Sequence, residues 1–130
     1  MNALIDTDVL IDHLRGVAVA RDFLLHLLES GGPPAISAIT VAEIEAGIRE
    51  SERETVEVLL DRLPALGLDP EIARMGGRFR REYGASHGVL LPDALIAATA
   101  VKHGRTLYTL NRKHYPMPEV EVVVPYEKGE

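Results

Sequence analysis

The 130-residue chain contains no cysteine. It can therefore form no disulfide scaffold, no thiolate metal site and no cysteine nucleophile. Aromatic residues are scarce, two Phe and four Tyr, and are read as packing residues. No apolar run approaches the roughly 18 residues of a membrane span. The opening Met1-Asn2-Ala3-Leu4-Ile5-Asp6 has no basic stretch and meets an acid too early for a signal peptide. These absences predict a soluble, cytoplasmic protein without a membrane partner. A hydrophobic share of 46% against 26% charged residues is globular composition and argues against disorder. The length predicts one domain over residues 1–130, large enough to bury a core without staples.

Basic charge is in deficit, with 14 Lys and Arg against 20 Asp and Glu, a net charge of −6. That balance alone disfavours a protein built to coat nucleic acid. The deficit is uneven. Residues 1–65 carry 5 basic and 12 acidic side chains, whereas residues 72–115 carry 8 basic ones and only Glu82 and Asp93 as acids. An acidic front half and a basic later segment can fold into a cleft with a basic rim. Solvated helix faces are the plainer explanation.

Ala3-Leu4-Ile5 reads as a buried strand that ends at Asp6, and Asp6 or Thr7 can cap the helix that follows. Residues 17–30 have helical spacing and stop at Gly31-Gly32-Pro33-Pro34. Ala35-Ile36-Ser37 reads as a strand. Thr40 opens a helix striped with Val41, Ile44 and Ile48. Ser51 to Glu54 has capping-box spacing. Leu66-Gly67-Leu68 reads as a strand, and 71–83 as a helix weakened by Gly76-Gly77. Residues 92–103 are apolar nearly all round, which predicts a buried helix. Strands are expected at 106–109 and 120–124. Short strands alternating with helices indicate an α/β fold, a mainly parallel sheet flanked by helices. Ligands of such sheets sit beyond the strands' carboxyl ends, where Asp6 and Asn111 fall.

Four segments place an oxygen-bearing side chain at a strand end or a helix start: Asp6 with Thr7 and Asp8, Glu43, Asp93, and Thr109 with Asn111. Singly, each has a structural explanation. Asp6 or Asp8 caps a helix, Glu43 closes a box with Thr40, Asp93 favours a helix dipole, and Asn111 sits in a turn. Together they suggest more. Asp93 leads a helix with almost no other polar residue before Thr99, a costly place for an unpaired carboxylate. Gly47 shares a helix face with Glu43 and leaves room beside it. Carboxylates gathered in one pocket repel each other unless a divalent cation neutralises them. Oxygen ligands suit Mg²⁺ or Mn²⁺ rather than zinc, and the chemistry that such a site supports is phosphodiester cleavage by activated water.

The segments Leu4-Ile5-Asp6-Thr7-Asp8-Val9-Leu10-Ile11-Asp12, Ser37-Ala38-Ile39-Thr40-Val41-Ala42-Glu43-Ile44-Glu45-Ala46-Gly47, Leu91-Pro92-Asp93-Ala94-Leu95-Ile96-Ala97-Ala98 and Leu107-Tyr108-Thr109-Leu110-Asn111-Arg112-Lys113-His114-Tyr115 resemble, in order, the motifs of PIN-domain ribonucleases. The resemblance is closest to the VapC toxins of bacterial toxin–antitoxin pairs and runs from about residue 2 to 126. It implies a three-layer PIN-like fold and a Mg²⁺- or Mn²⁺-dependent endoribonuclease that hydrolyses RNA. It implies Asp6, Glu43 and Asp93 as the metal-binding and catalytic acids, supported by the hydroxyls of Thr7 and Thr109. Asn111 stands where many relatives carry a fourth acid, which puts a second metal in question. Asp8 stands where Asn is more usual and is read first as a helix cap.

On this reading Arg112 and Lys113, with His114, rim the cleft and touch RNA phosphates, and Arg74, Arg78, Arg80 and Arg81 extend the rim. Lys102, His103 and Arg105 suit a helix C-terminus and a structural role. Tyr83 and Tyr115 are assigned to packing rather than base stacking. No His is read as a metal ligand. The resemblance also implies a homodimer and a VapB-type antitoxin partner. Expected docking surfaces are the acidic pocket, where an antitoxin Arg would replace the metal's charge, and an apolar groove between residues 9–14 and 23–28. Two other readings stay open: a PIN-like binding module without catalysis, and a haloacid-dehalogenase-like phosphatase with Asp6 as nucleophile.

Overall fold

The computed structural model describes residues 2–128. Strand β1 (Ala3–Ile5) is buried throughout. Because side chains alternate along a strand, Ala3 and Ile5 join one core while Leu4 joins another on the opposite face. β4 (Thr106–Tyr108) runs parallel to β1 with Leu107 beside Leu4, and β5 (Val122–Val123) runs parallel beyond it. β2 (Ile36–Ser37) pairs in parallel with β3 (Ala65–Leu66). Ala35 ties this pair to β1 through a parallel bridge to Leu4, with the Ile5 N–H donating to the Ala35 carbonyl at 2.9 Å. The spatial order is therefore β3-β2-β1-β4-β5. The chain leaves β1 toward one edge and returns later to the other, so a crevice opens at the carboxyl ends of β1 and β4.

Helices cover both faces and make three layers. On one face α1 (Thr7–Leu14), α2 (Ala18–Glu29), α3 (Ala38–Gly47) and α4 (Arg53–Asp61) bury Val9, Leu10, Leu24, Leu27, Ile44 and Val56. On the other, α5 (Pro70–His87) and α6 (Leu91–Lys102) bury Ile72, Phe79, Ile96 and a run of α6 alanines. The small α6 side chains let α5 approach closely. Among the described residues no helix is long and apolar enough to cross a membrane.

Several boundaries differ from the sequence reading. Helix α3 starts at Ala38, where the Ser37 hydroxyl accepts the Ile39 N–H at 3.0 Å. Glu43 therefore lies beyond the capping position and is free for the cleft. Ser51 caps nothing; Glu52 instead accepts the Arg49 N–H at 2.8 Å, ahead of α4. The strand expected at 66–68 is Ala65–Leu66, and the one expected at 120–124 is Val122–Val123. Helix α5 continues past Tyr83 to His87 and stops at Gly88, whose φ of 68° suits glycine. The helix runs unbroken through Gly76-Gly77, and Gly76 is a packing contact. A Cβ there would lie 2.5 Å from Leu95 Cδ2 and 3.2 Å from Leu95 Cα, whereas one at Gly77 would meet nothing within 4 Å.

These two glycines should respond oppositely to alanine. Gly76→Ala should destabilise the chain by about 1–3 kcal/mol through overpacking. Gly77→Ala should stabilise it by up to about 1 kcal/mol through helix propensity. Urea denaturation of both variants measures this, and equal effects would contradict the packing assignment.

Candidate active site

Asp6 is the first residue after β1, and its N–H still donates to the Tyr108 carbonyl at 2.9 Å. The sheet thus fixes its backbone, and three donors fix its side chain. Oδ1 accepts the Thr7 N–H at 2.8 Å, which makes Asp6 the N-cap of α1. Oδ2 accepts the hydroxyls of Thr109 at 2.7 Å and Tyr115 at 2.8 Å. Thr109 is fully buried, and Asp6 is only 6% exposed.

Glu43 reaches in from the second turn of α3. The Thr7 hydroxyl donates to its Oε1 at 2.7 Å and lies 3.0 Å from the Thr40 hydroxyl, which can donate in turn. Asp93 enters from the first turn of α6. Its Oδ1 lies 3.4 Å from the Tyr115 hydroxyl, and its Oδ2 lies 3.4 Å from His114 Nδ1. Tyr115 therefore spans Asp6 and Asp93. Asp8, also on α1, receives the Leu110 N–H at 3.0 Å and the Asn111 side-chain amide at 2.9 Å on Oδ2. Its Oδ1 is buried without a partner.

The four acids line one cleft of about 260 Å³, formed by Asp6, Thr7, Asp8, Ile11, Glu43, Asp93, Asn111 and His114. Four carboxylates face a single imidazole. The strain is electrostatic. Burial, then repulsion from Asp6, raises Asp8 to about 6. Burial and then Asp6 also raise Asp93, with Glu43 adding to the shift and His114 opposing it. Burial and the neighbouring Asp6 and Asp93 charges keep the Tyr115 hydroxyl protonated well above the usual tyrosine range. A lining rich in carboxylate oxygens, with surplus negative charge and an unsatisfied carboxylate oxygen, fits a hard divalent cation. Among the described residues no three acids or histidines already clasp a common point. The acids line the cleft walls.

Asp6, Thr7, Glu43, Asp93 and Asn111 thus line the same cleft, and Thr109 lies directly behind Asp6. Arg112 and Lys113 are exposed on the 3₁₀ turn of residues 112–114, just ahead of His114, and do not line it. Arg74, Arg78, Arg80 and Arg81 lie on the exposed side of α5, where Arg78 pairs with Glu119 at 3.6 Å and stacks on Phe79. Lys102 is held by Asp69 and Glu71, in the structural role expected of it. Tyr83 packs between Phe79 and His87. Asp12 is committed elsewhere, to the Tyr126 hydroxyl at 2.9 Å and Lys128 at 3.1 Å.

Three expectations need correction. Asp8 is not the helix cap, because Asp6 takes that place. Tyr115 does more than pack, since its ring is buried but its hydroxyl is in the site. The apolar groove runs between α2 and α4, with His13 its one lining residue from α1. It has a volume of about 480 Å³ and is walled by Leu24, Leu25, Leu28, Val58 and Leu59, with His13, Arg21 and Arg62 at its polar edges. Phe23 instead packs on Tyr108 and Tyr126. The partnership of Asp8 with Asn111 joins the two positions at which the sequence departs from its resemblance.

The model of the PIN domain family matches residues 3–120. Ribonuclease VapC19 of Mycobacterium tuberculosis is 41% identical over 115 residues, which cover 88% of this chain and 92% of the relative. Ribonuclease VapC10 of the same organism is 45% identical over 117 residues, covering 89% and 87%. Among solved structures, a toxin–antitoxin complex from Klebsiella pneumoniae superposes with a TM-score of 0.78 at 30% identity, covering 97% of this chain and 99% of that one. A DNA-bound VapBC from Salmonella typhimurium gives a TM-score of 0.75 at 26% identity, covering 95% and 97%. With the parallel sheet, the crevice beside β1 and β4 and the acids gathered there, these similarities identify the chain as a member of the PIN domain family, in its VapC group.

Proposed function

We propose that the chain is a Mg²⁺- or Mn²⁺-dependent endoribonuclease and the toxin of a toxin–antitoxin pair. The observation that carries this reading is the meeting of Asp6, Glu43 and Asp93, from three distant stretches of sequence, in one cleft at the carboxyl edge of the sheet. These three would hold the cation. Such an ion supplies positive charge against a phosphodiester and makes a hydrolytic water more acidic.

The chain's own residues supply the positioning. The Thr7 N–H, Thr109 and Tyr115 lock the Asp6 carboxylate. Thr7 also directs Glu43, so one residue orients two acids. His114 sits against Asp93 and can hold a proton at Nδ1. Arg112 and Lys113, exposed beside this imidazole, would pair with RNA phosphates, which would position the strand without reading its sequence. A haloacid-dehalogenase-like phosphatase would pair its later acids with a lysine, and the cleft lining includes none.

The partner in this reading is a VapB-type antitoxin. Its amphipathic helix would lay apolar side chains into the groove between α2 and α4, where Leu25 and Val58 are half exposed. Arg21 and Arg62 at the groove edges suit acidic residues on that helix.

Asp6→Asn, Glu43→Gln and Asp93→Asn should each lower Mg²⁺-dependent RNA cleavage by about a hundredfold or more, the upper range for disturbed metal sites. Circular dichroism should show intact folds, and unchanged cleavage in any two of them would sink the site. Tyr115→Phe keeps the ring and removes only the bridging hydroxyl. It should weaken Mn²⁺ binding and cleavage about 10–100-fold, as loss of an outer-shell partner does. Wild-type Mn²⁺ affinity in this variant would return Tyr115 to a packing role.

The raised Asp8 and Asp93 bind protons more tightly folded than unfolded. Their contribution to metal-free stability is thus full below the ordinary carboxylate range, about pH 4. It is lost as pH rises, through about 6 for Asp8. Asp8→Asn should therefore be more stable than wild type at neutral pH without metal, and this advantage should shrink toward pH 5. Denaturation at both pH values measures it; an advantage that grows on acidification contradicts the charge assignment.

A further inference from the structure

Asp8 is the one acid of the cleft with no part in the site as described so far. It is not the cap of α1, and its two oxygens are treated very differently. Oδ2 collects the Leu110 N–H at 3.0 Å and the Asn111 Nδ2 at 2.9 Å, with the Thr109 hydroxyl 3.2 Å away. The Thr109 proton is directed to Asp6, at 2.7 Å. Asp8 Oδ1 is buried and has no hydrogen-bond donor among the described residues. A carboxylate oxygen withdrawn from water without a donor calls for a cation or a proton nearby.

Asn111 is constrained by the same contact. An amide has one donor end and one acceptor end. Spending Nδ2 on Asp8 turns the Asn111 carbonyl away from Asp8, and Asn111 itself lines the cleft. Resting on the metal-site reading above, we propose that Asp8 and Asn111 act as one carboxylate–amide unit of that site. Asp8 supplies a fourth negative charge, and Asn111, oriented by it, presents a neutral oxygen to the cation. Asp8 is thus a charge-supplying and positioning residue that acts through its neighbour across 103 residues of sequence.

A loop fastener would behave differently. An asparagine at position 8 still offers an oxygen to the Leu110 N–H, so fastening survives while charge is lost. The two roles separate when the charge is removed or moved to the other end of the hydrogen bond.

The test uses the full chain, with Mn²⁺ binding followed by titration calorimetry and metal-free unfolding by thermal melting. Asp8→Asn should bind Mn²⁺ about tenfold more weakly. The exchange variant Asp8→Asn/Asn111→Asp restores one carboxylate and one amide, and should recover most of that loss. Asn111→Asp alone sets two carboxylates within hydrogen-bonding distance. It should melt lower than both wild type and the exchange variant without metal, and gain more from Mn²⁺ than wild type does. Wild-type affinity in Asp8→Asn overturns the proposal. So does an exchange variant that binds no better than Asp8→Asn, or that melts no higher than Asn111→Asp; this last comparison holds even if Asp8→Asn fails to fold. Asp93→Asn serves as the separate control. Wild-type Mn²⁺ affinity in that variant, or no binding by the wild type, refutes the metal-site reading itself. Failure confined to the Asp8 and Asn111 variants refutes only the pairing.

Discussion

Mutual repulsion among buried carboxylates is the constraint around which this molecule is organised. Asp6, Asp8, Glu43 and Asp93 share a cleft of about 260 Å³ with one imidazole and no Lys or Arg in its lining. Left alone, such a group would spread apart or take up protons. The fold prevents the first through neutral donors: the Thr7 N–H and hydroxyl, the Thr109 and Tyr115 hydroxyls, and the Leu110 N–H. These hold the acids in place without cancelling their charge. The surplus therefore stays in the cleft, and the divalent cation proposed for this site would relieve it.

The scaffold makes this arrangement possible through strand order. β1 and β4 are adjacent although about a hundred residues separate them, and the chain leaves their carboxyl ends in different directions. Asp6 and Thr109 are the residues immediately past those two ends, so their contact is a consequence of sheet register. α3 and α6 then deliver Glu43 and Asp93 from opposite faces of the sheet. α6 can sit centrally because its alanines let α5 pack closely, with Gly76 against Leu95. A packing contact far from the cleft thus helps to set the position of one of its acids.

Much of this was legible in the sequence because it depends on local pattern. The apolar run ending at Asp6, the all-round apolar helix headed by Asp93 and the strand expected at 106–109, which the structure ends at Tyr108, each announce an element. They located the α/β class and two of the acids. What pattern could not reveal depends on which way a side chain turns once distant segments meet. Asp8 has the spacing of a cap, yet Asp6 is the cap, and only the return of residues 109–111 over α1 gives Asp8 its partners. Tyr115 reads as an ordinary core aromatic because its ring is one; its hydroxyl gains meaning from Asp6, 109 residues away. Glu43 resembled half of a capping box until Ser37 took the cap. The groove was expected against α1, whereas α4 supplies its second wall, since amphipathic helices show that they pack but not which neighbour leaves a gap.

The most direct measurement is anomalous diffraction from crystals of the wild-type chain soaked in Mn²⁺. This account predicts one anomalous peak in the acidic cleft, with oxygens of Asp6, Glu43 and Asp93 drawn to it directly or through water, direct ligands lying at about 2.1 Å as small hard cations require. A cleft that stays free of manganese at saturating concentration, or an ion bound by other residues while these three carboxylates remain apart, would contradict it.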